Sequence, residues 1–513
     1  MSRIGKVFLV GAGPGSGGLL TLRGKQVIEQ ADLVLYDRLV GREVLEMIPD
    51  SAEKMHVGKS CGRHRVSQDE INEMLVRCAG EGKQVVRLKG GDPYLFGRGA
   101  EELDAVLAAG IPFEVVPGVS SAIAVPAFAG IPVSHREFSS SVHIITAHRK
   151  KGAPPEIDYQ SLVKCGGTLV FLMGIRTMSA VTEGLLSGGM DGKTPAALIE
   201  NGTRPNQRSA VSTLAEISTV SRERGFSPPS ILAVGEVCGL AGRMNWFERL
   251  PLCGVGVIVT RPRGRDDLSR QLRELGADVI GFPCAQTAPL PVPGEVAGRF
   301  AGQDWIVFTS TAGVGRFFET LREQAIDLRS LAQVKFAAIG SKTAGALAGF
   351  GIIADYTPET YSGEALAEGL PLAAGRTRVM LFRAREGAPS IVSTLRERGF
   401  EVEDIPAYRT ASGTQTACEI RGLVSGGNIR FVTFTSPSTV QGFVGALDGV
   451  VLDRAGLTAV CIGEETAAAA RRHGLKIEVS KAATSEDMVK RILQSVSDAG
   501  TEIFGYENQS GVV

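Results

Sequence analysis

The sequence predicts an α/β protein in two halves, and three observations carry that prediction. Apolar strands run into glycine-rich turns and then into helical stretches; the organisation restarts near Leu250; and the part beyond it repeats one strand, turn and helix pattern.

The first strand, at 6–10 (KVFLV), ends in Gly11-Ala12-Gly13-Pro14-Gly15, and a helix is expected over about 20–30. A second strand within 85–99 (VVRLKGGDPYLFGRG) runs into Gly90-Gly91-Asp92-Pro93. Two glycines let the backbone approach a ligand closely, Pro93 fixes the exit, and Asp92 places a charge at the strand's carboxyl end, where open α/β sheets bind ligands. Two such loops point to one site. Gly13, Gly15 and Gly18 also fit the G-x-G-x-x-G of a dinucleotide turn, with Asp37 placed as a ribose-binding acid. Against that, Pro14 interrupts the turn, the glycines begin late, and GGDP would be left without a role.

With 513 residues and roughly 150 per domain, three or four folding units are expected. The formal net charge is zero, so no global field favours nucleic acid or an anionic membrane. The eight cysteines are scattered without C-x-x-C spacing, as expected of reduced, mostly buried thiols rather than disulfides or a zinc site. The start (MSRIGKVFLVGAGPG) has no room for a signal peptide, and no run approaches the roughly twenty apolar residues of a membrane helix. A cytoplasmic enzyme is expected.

Beyond Leu250 a fresh strand is expected at 254–260 (GVGVIVT), then an amphipathic helix over about 266–275. Downstream, 304–310 (DWIVFTS) and 336–343 (FAAIGSKT) recur as 430–436 (RFVTFTS) and 459–466 (AVCIGEET). Two similar α/β units imply two lobes with a cleft between them. The FTS and IGxxT turns suit helix N-caps, and helix N-termini with free N–H groups also bind anions. A polar tail is expected over 499–513.

Residues 6 to about 250 closely resemble uroporphyrinogen-III C-methyltransferases of the tetrapyrrole methylase class. The likeness is carried by GAGPG (11–15), LLTLRG (19–24), ADLVLYDRLV (31–40), VGK (57–59), SQDEIN (67–72) and VVRLKGGDPYLFGRGAEE (85–102), and continues through VPGVSSA (116–122), AGIPVSHR (129–136), FLMG (171–174), ENGTRPNQR (200–208) and SPPSILAVGEV (227–237). One departure is Ser16 where the family usually carries Asp, which leaves the loop tip less acidic. Residues 254–495 resemble uroporphyrinogen-III synthase through VTRPRG (259–264), VFTSTAGV (307–314), AIGSKTA (338–344), YSGE (361–364), LFRA (381–384), PAYRT (406–410), FTSPSTV (434–440) and IGEETA (462–467).

The resemblance implies a two-lobed methylase fold, with lobes at about 1–115 and 116–250, followed by a two-lobed α/β synthase fold over 251–498. Within the latter, one lobe would span 254–288 plus 411–495, and the other, 289–410, would be inserted by two connecting strands. It implies S-adenosylmethionine as cofactor, lined by Pro14, Gly90, Gly91, Asp92, Leu95, Ser120, Ser121, Met173 and Gly202; the plain alternative for Met173 is core filler. Asp37 would be the base and Lys59 the acid of methyl transfer, with a helix cap or an ion pair with Arg38 as the alternative for Asp37. The substrate carries eight carboxylates, so Arg38 and Arg63 are candidate clamps, together with His64, Arg65, Arg98 and the run Arg149-Lys150-Lys151. In the second half Tyr408 would assist departure of a hydroxyl, and Ser310, Thr343, Ser436 and Thr466 would bind substrate.

Together the halves imply cyclisation of hydroxymethylbilane to uroporphyrinogen III with inversion of ring D, then methylation at C2 and C7 to precorrin-2, on a route to sirohaem or cobalamin. No dehydrogenase or chelatase segment precedes residue 6, so the reaction is expected to stop there. The family resemblance implies a homodimer through the methyltransferase half; methyl transfer from a sulfonium to carbon is an in-line displacement that needs no metal, and no nucleic-acid or membrane partner is expected. The alternative is a methyltransferase of a later corrin intermediate carrying a non-catalytic tetrapyrrole-binding module.

Overall fold

The structure is a computed structural model that describes residues 4–58, 66–147, 157–260, 267–373 apart from 283 and 285, 375–447 apart from 386, 388, 412, 413 and 428, and 456–503. It is α/β throughout, with four five-stranded sheets.

The first sheet holds β1 (Lys6–Gly11), β2 (Leu33–Tyr36), β3 (Glu53–His56), β4 (Gln84–Lys89) and β5 (Phe113–Val116) in the order β3-β2-β4-β1-β5, with every pair parallel. From β1 the chain moves toward β2 on one side, and from β4 toward β5 on the other. The neighbours β1 and β4 therefore flank a switch point, where crossing connections diverge and leave a crevice at the strands' carboxyl ends. Both glycine loops lie there. Alternation along the strands sends Val7, Leu9, Leu35 and Val85 into one core layer, and Val10, Val34, Val86 and Leu88 into the other.

The flanking helices are set by local signals. Thr21 caps Leu22–Glu29, and Ser67 with Glu70 forms a capping box on Gln68–Gly80, whose first turn also carries Asp69. The second sheet contains β6 (Val142–Thr146), β7 (Thr168–Leu172), β8 (Pro195–Glu200), β9 (Arg208–Thr213) and β10 (Ser230–Val234), in the mixed order β6-β7-β10-β8-β9.

After Leu250 the chain forms β11 (Gly256–Val259), the helix Asp267–Glu274 and β12 (Asp278–Gly281). It then leaves that sheet for another, built from β13 (Gln286–Pro289), β14 (Trp305–Phe308), β15 (Lys335–Ala338), β16 (Thr377–Ala384) and β17 (Phe400–Ala411) in the order β13-β17-β16-β14-β15. It returns to finish the earlier sheet with β18 (Phe431–Phe434), β19 (Thr458–Cys461) and β20 (Lys476–Val479), in the order β12-β11-β18-β19-β20. β13 and the end of β17 pair antiparallel, Pro289 against Tyr408. The repeat read from the sequence has matching backbone geometry: Ser310 caps one helix at φ −163° and ψ 160°, Ser436 its counterpart at φ −166° and ψ 159°.

The last helix, Ser485–Ile503, continues past Ala499, where the sequence predicted a polar tail to begin, because helical hydrogen bonding outlasts the apolar stripe ending near Val496. Among the described cysteines Cys78, Cys238, Cys284 and Cys461 are buried free thiols; burial pushes the Cys238 and Cys461 thiols up to about 12. No described helix is long and apolar enough to cross a membrane.

Candidate functional site

In the first half the two glycine loops are zipped together. Gly13 donates to the Gly91 carbonyl at 3.2 Å, Gly91 donates back to Gly13 at 2.7 Å, and Ala12 donates to Lys89 at 2.7 Å. Gly13 and Gly91 sit at φ +72° and +70°, in the region that favours glycine. A third loop closes on them: a Cβ on Gly118 would lie 2.3 Å from the Gly91 carbonyl oxygen, and one on Gly11 2.5 Å from the Gly118 nitrogen.

Asp92 ties these loops. Its Oδ1 accepts from the N–H groups of Tyr94 (2.9 Å) and Leu95 (3.1 Å), and its Oδ2 from that of Gly118 at 3.1 Å. A carboxylate has about four acceptor positions, so a ligand hydroxyl or ammonium still has room there. Ser120 caps the helix Ser121–Phe128, Ser121 lies beside Gly91, and Leu95 packs on the core under that helix.

Asp37 follows β2 directly. Its Oδ1 accepts from Leu39 N–H at 2.9 Å and its Oδ2 from Gly90 N–H at 3.4 Å, so the acid is joined to the first glycine of GGDP. Gly90 is required there: a Cβ would lie 2.5 Å from the Leu39 Cβ. The neighbouring Arg38 is exposed, and its backbone N abuts Gly58 of the VGK stretch. Lys59 and Arg63 lie outside the described residues, as do His64, Arg65 and 149–151. Asp37, Gly58, Gln68, Arg87 and Arg98 line part of a cleft of about 460 Å³.

The second sheet contributes Met173 after β7 and Gly202 after β8, at the edge where β10 begins. Met173 is 49% exposed, so it is not core filler. Gly202 packs on Val125 of the helix that starts at Ser121, and Thr203 Oγ1 accepts from Ser16 N–H at 3.2 Å. The loop after β8 thus meets the first glycine loop. Among the described residues six non-glycines have positive φ, and Phe96, Arg98, Met173, Asn201 and Thr203 surround this one place, Ala325 being the sixth. Strain of that kind persists where a site over-determines the backbone. Leu39, Tyr94, Phe96 and Met173 are large apolar side chains left exposed on the same loops, which suits a broad, partly apolar ligand.

The sequence reading missed the floor of the site. Arg87, Lys89 and Glu102 are buried, with Glu102 fully enclosed. Its Oε1 receives Arg87 Nε at 3.1 Å, Lys89 Nζ at 3.0 Å and Gln68 Nε2 at 3.2 Å. Burial first, and then Arg87, lowers the Lys89 ammonium below its ordinary value; Glu102 and Asp37 oppose that shift. The signal was present: Arg87 and Lys89 are two apart in an apolar strand, hence on one face, and Glu102 stands one turn into the facing helix Gly99–Ala108.

In the second half Tyr408 Oη donates to Ser310 Oγ at 2.7 Å, joining two predicted site residues, and Ser310 Oγ accepts from Gly313 N–H at 3.1 Å. Ser436 Oγ accepts from Thr439 N–H at 3.4 Å. Thr343 and Thr466 occupy matching third positions in their helices and are each 4% exposed, less open than the two serines.

Residues 6–218 match the family model for Tetrapyrrole (Corrin/Porphyrin) Methylases, and residues 266–490 the model for Uroporphyrinogen-III synthase HemD. A porphyrin biosynthesis protein HemD of Ruminiclostridium josui is 42% identical over 96% of this chain and 98% of its own. A uroporphyrinogen-III C-methyltransferase of Bacillus subtilis is 42% identical over 64% of this chain and 68% of its own. An S-adenosyl-L-methionine-dependent uroporphyrinogen III methyltransferase of Methanosarcina barkeri is 51% identical over 46% of this chain and 93% of its own. The chain therefore belongs to the family in which a tetrapyrrole methylase and a uroporphyrinogen-III synthase are joined in one polypeptide.

Proposed function

We propose that the chain is a bifunctional tetrapyrrole enzyme: residues 251–498 cyclise hydroxymethylbilane to uroporphyrinogen III with inversion of ring D, and residues 1–250 methylate that product at C2 and C7 to give precorrin-2. The observation that carries it is the zipped pair of glycine loops at the switch point, with Asp37 bonded to Gly90, in a chain related along almost its whole length to a porphyrin biosynthesis protein.

S-adenosylmethionine supplies an electrophilic methyl group on a sulfonium. The residues present fit it: close-packed glycine turns, free acceptor positions on Asp92, and strained strand ends at Met173 and at Asn201 and Thr203, which flank Gly202. In this reading Pro14, Gly90, Gly91, Leu95, Ser120 and Ser121 shape the rest of its pocket. Methyl transfer to carbon needs the acceptor held in line and water kept out. Asp37 takes the proton left on the attacked pyrrole carbon, Lys59 returns one to the macrocycle, and Arg38, Arg63 and Arg98 meet carboxylates at the cleft. The protein acts in the cytoplasm as a homodimer.

In the second half, loss of water from the hydroxymethyl carbon gives an azafulvene cation, which a substituted pyrrole carbon attacks through a spiro intermediate. Tyr408 protonates the departing hydroxyl, held in place by Ser310, while Ser436, Thr343 and Thr466 with their helix N-termini receive carboxylates. Tyr408→Phe is expected to slow formation of the type III isomer about tenfold, less than a general acid's full value because the hydroxyl leaves readily unaided; chromatography of the isomers checks it.

The whole proposal is tested by giving the purified full chain hydroxymethylbilane, with and without methyl-labelled S-adenosylmethionine. Type III isomer is expected in both, and two labelled methyl groups per tetrapyrrole in the second. Only the spontaneous type I isomer would overturn the synthase assignment; type III product without label would overturn the methyltransferase.

A further inference from the structure

We propose that Arg273, in the second half, is a positioning residue for the methyl-donor loop of the first half, acting through Glu43, so that docking of the synthase half tunes cofactor affinity. This rests on the reading of that loop as an S-adenosylmethionine site. Three contacts join the halves at this point. Arg273 Nη2 donates to Glu46 Oε2 at 2.7 Å; Arg273 Nε, which is buried with no hydrogen-bond partner, lies 3.8 Å from Glu43 Oε1; and Arg42 Nη1 lies 3.9 Å from Asp278 Oδ1.

The other oxygen of Glu43 faces the loop. Glu43 Oε2 accepts from Gly17 N–H at 2.8 Å, immediately after the GAGPGS turn, and a Cβ on Gly41 would lie 1.8 Å from the Gly15 carbonyl oxygen. The segment Arg42–Glu46 is therefore wedged between the glycine loop on one side and the helix Asp267–Glu274 with Arg273 on the other. A five-residue helix has no stability of its own in water, so what grips it decides where Glu43 sits. Val44 anchors its apolar side in the core of the first half, and Arg273 grips the polar side that carries Glu43 and Glu46. A second tie runs parallel: Gly254 N–H donates to the Pro205 carbonyl at 2.8 Å, two residues beyond Thr203, which accepts from Ser16 N–H. Both flanks of the glycine loop are thus fastened to the second half.

Coupling of this kind is reciprocal, so a ligand on the loop must also steady the docked helix. The test uses the full chain and S-adenosylhomocysteine. By calorimetry, Arg273→Gln is expected to weaken binding about fivefold, with kcat for methyl transfer and the KM for uroporphyrinogen III little changed, and Arg273→Lys is expected to recover most of the loss. In the unmodified protein, S-adenosylhomocysteine is expected to slow amide exchange across Asp267–Glu274, a readout that needs no variant to fold. Affinity in Arg273→Gln within twofold of the unmodified protein, or exchange in that helix indifferent to the ligand, overturns the coupling alone. No binding by the unmodified protein overturns the functional reading beneath it.

Discussion

Replacing Asp37 with Asn is expected to lower the rate of methyl transfer to uroporphyrinogen III by at least about a hundredfold, with affinity for S-adenosylhomocysteine changed by no more than about twofold. Asn keeps one oxygen, which can hold the 2.9 Å bond from Leu39 N–H and so the turn, while its NH2 replaces only the oxygen that takes the long 3.4 Å contact from Gly90 N–H. What is lost is a base next to the carbon that must shed a proton. Single-turnover rates with labelled cofactor, set beside ligand titration of the same variant, separate these terms. A variant that methylates at the full rate would remove Asp37 from the chemistry and leave it as a loop tie.

The second large effect is on stability. Glu102→Gln is expected to cost about 3 kcal/mol, read from denaturant unfolding, because it leaves two buried cations with no counter-charge. Lys89→Met is expected to cost much less, since Arg87 and Glu102 remain a neutral pair. The alkaline behaviour distinguishes the two further. Lys89 is lowered in the folded state, so in the window below the ordinary lysine value of 10.5 the unfolded chain binds more protons than the folded one. Stability from this group therefore rises with pH across that window and is lost as pH falls through the folded value. Lys89→Met is expected to flatten that rise.

What the sequence made legible follows from locality. The strand at Lys6–Gly11, the turns after it and after β4, and the amphipathic helix Asp267–Glu274 each rest on neighbours in the chain, and each lies within a residue or two of its expected place. The repeat was legible for the same reason. Contacts between distant segments were not. The sequence offered Asp92 as a ligand group, but nothing local shows that its carboxylate spans to Gly118, 26 residues on. The spacing of Arg87 and Lys89 puts two cations on one strand face, but only the packing of the facing helix brings Glu102, 15 residues from Arg87, onto them as their shared partner. The docking of the halves through Arg273 and Glu46 joins residues 227 apart, where no periodicity reaches.

The pairing of β13 with the end of β17 has a mechanical consequence. The chain passes between the two sheets of the second half once outward before β13 and once back after β17, and the strand ends beside these passages, Gln286–Pro289 and Tyr408–Ala411, are hydrogen-bonded side by side. A two-stranded ribbon twists and bends about its length far more readily than it stretches. The two lobes are thus expected to change their angle more readily than their spacing at the ribbon, much as a strip hinge lets a lid swing without sliding. Tyr408 lies at the root of that ribbon, opposite Pro289 on one side and Ala384 of β16 on the other with its hydroxyl on Ser310, so any such change of angle leaves it fixed to that lobe and is expected to alter its distance from Ser436 in the other.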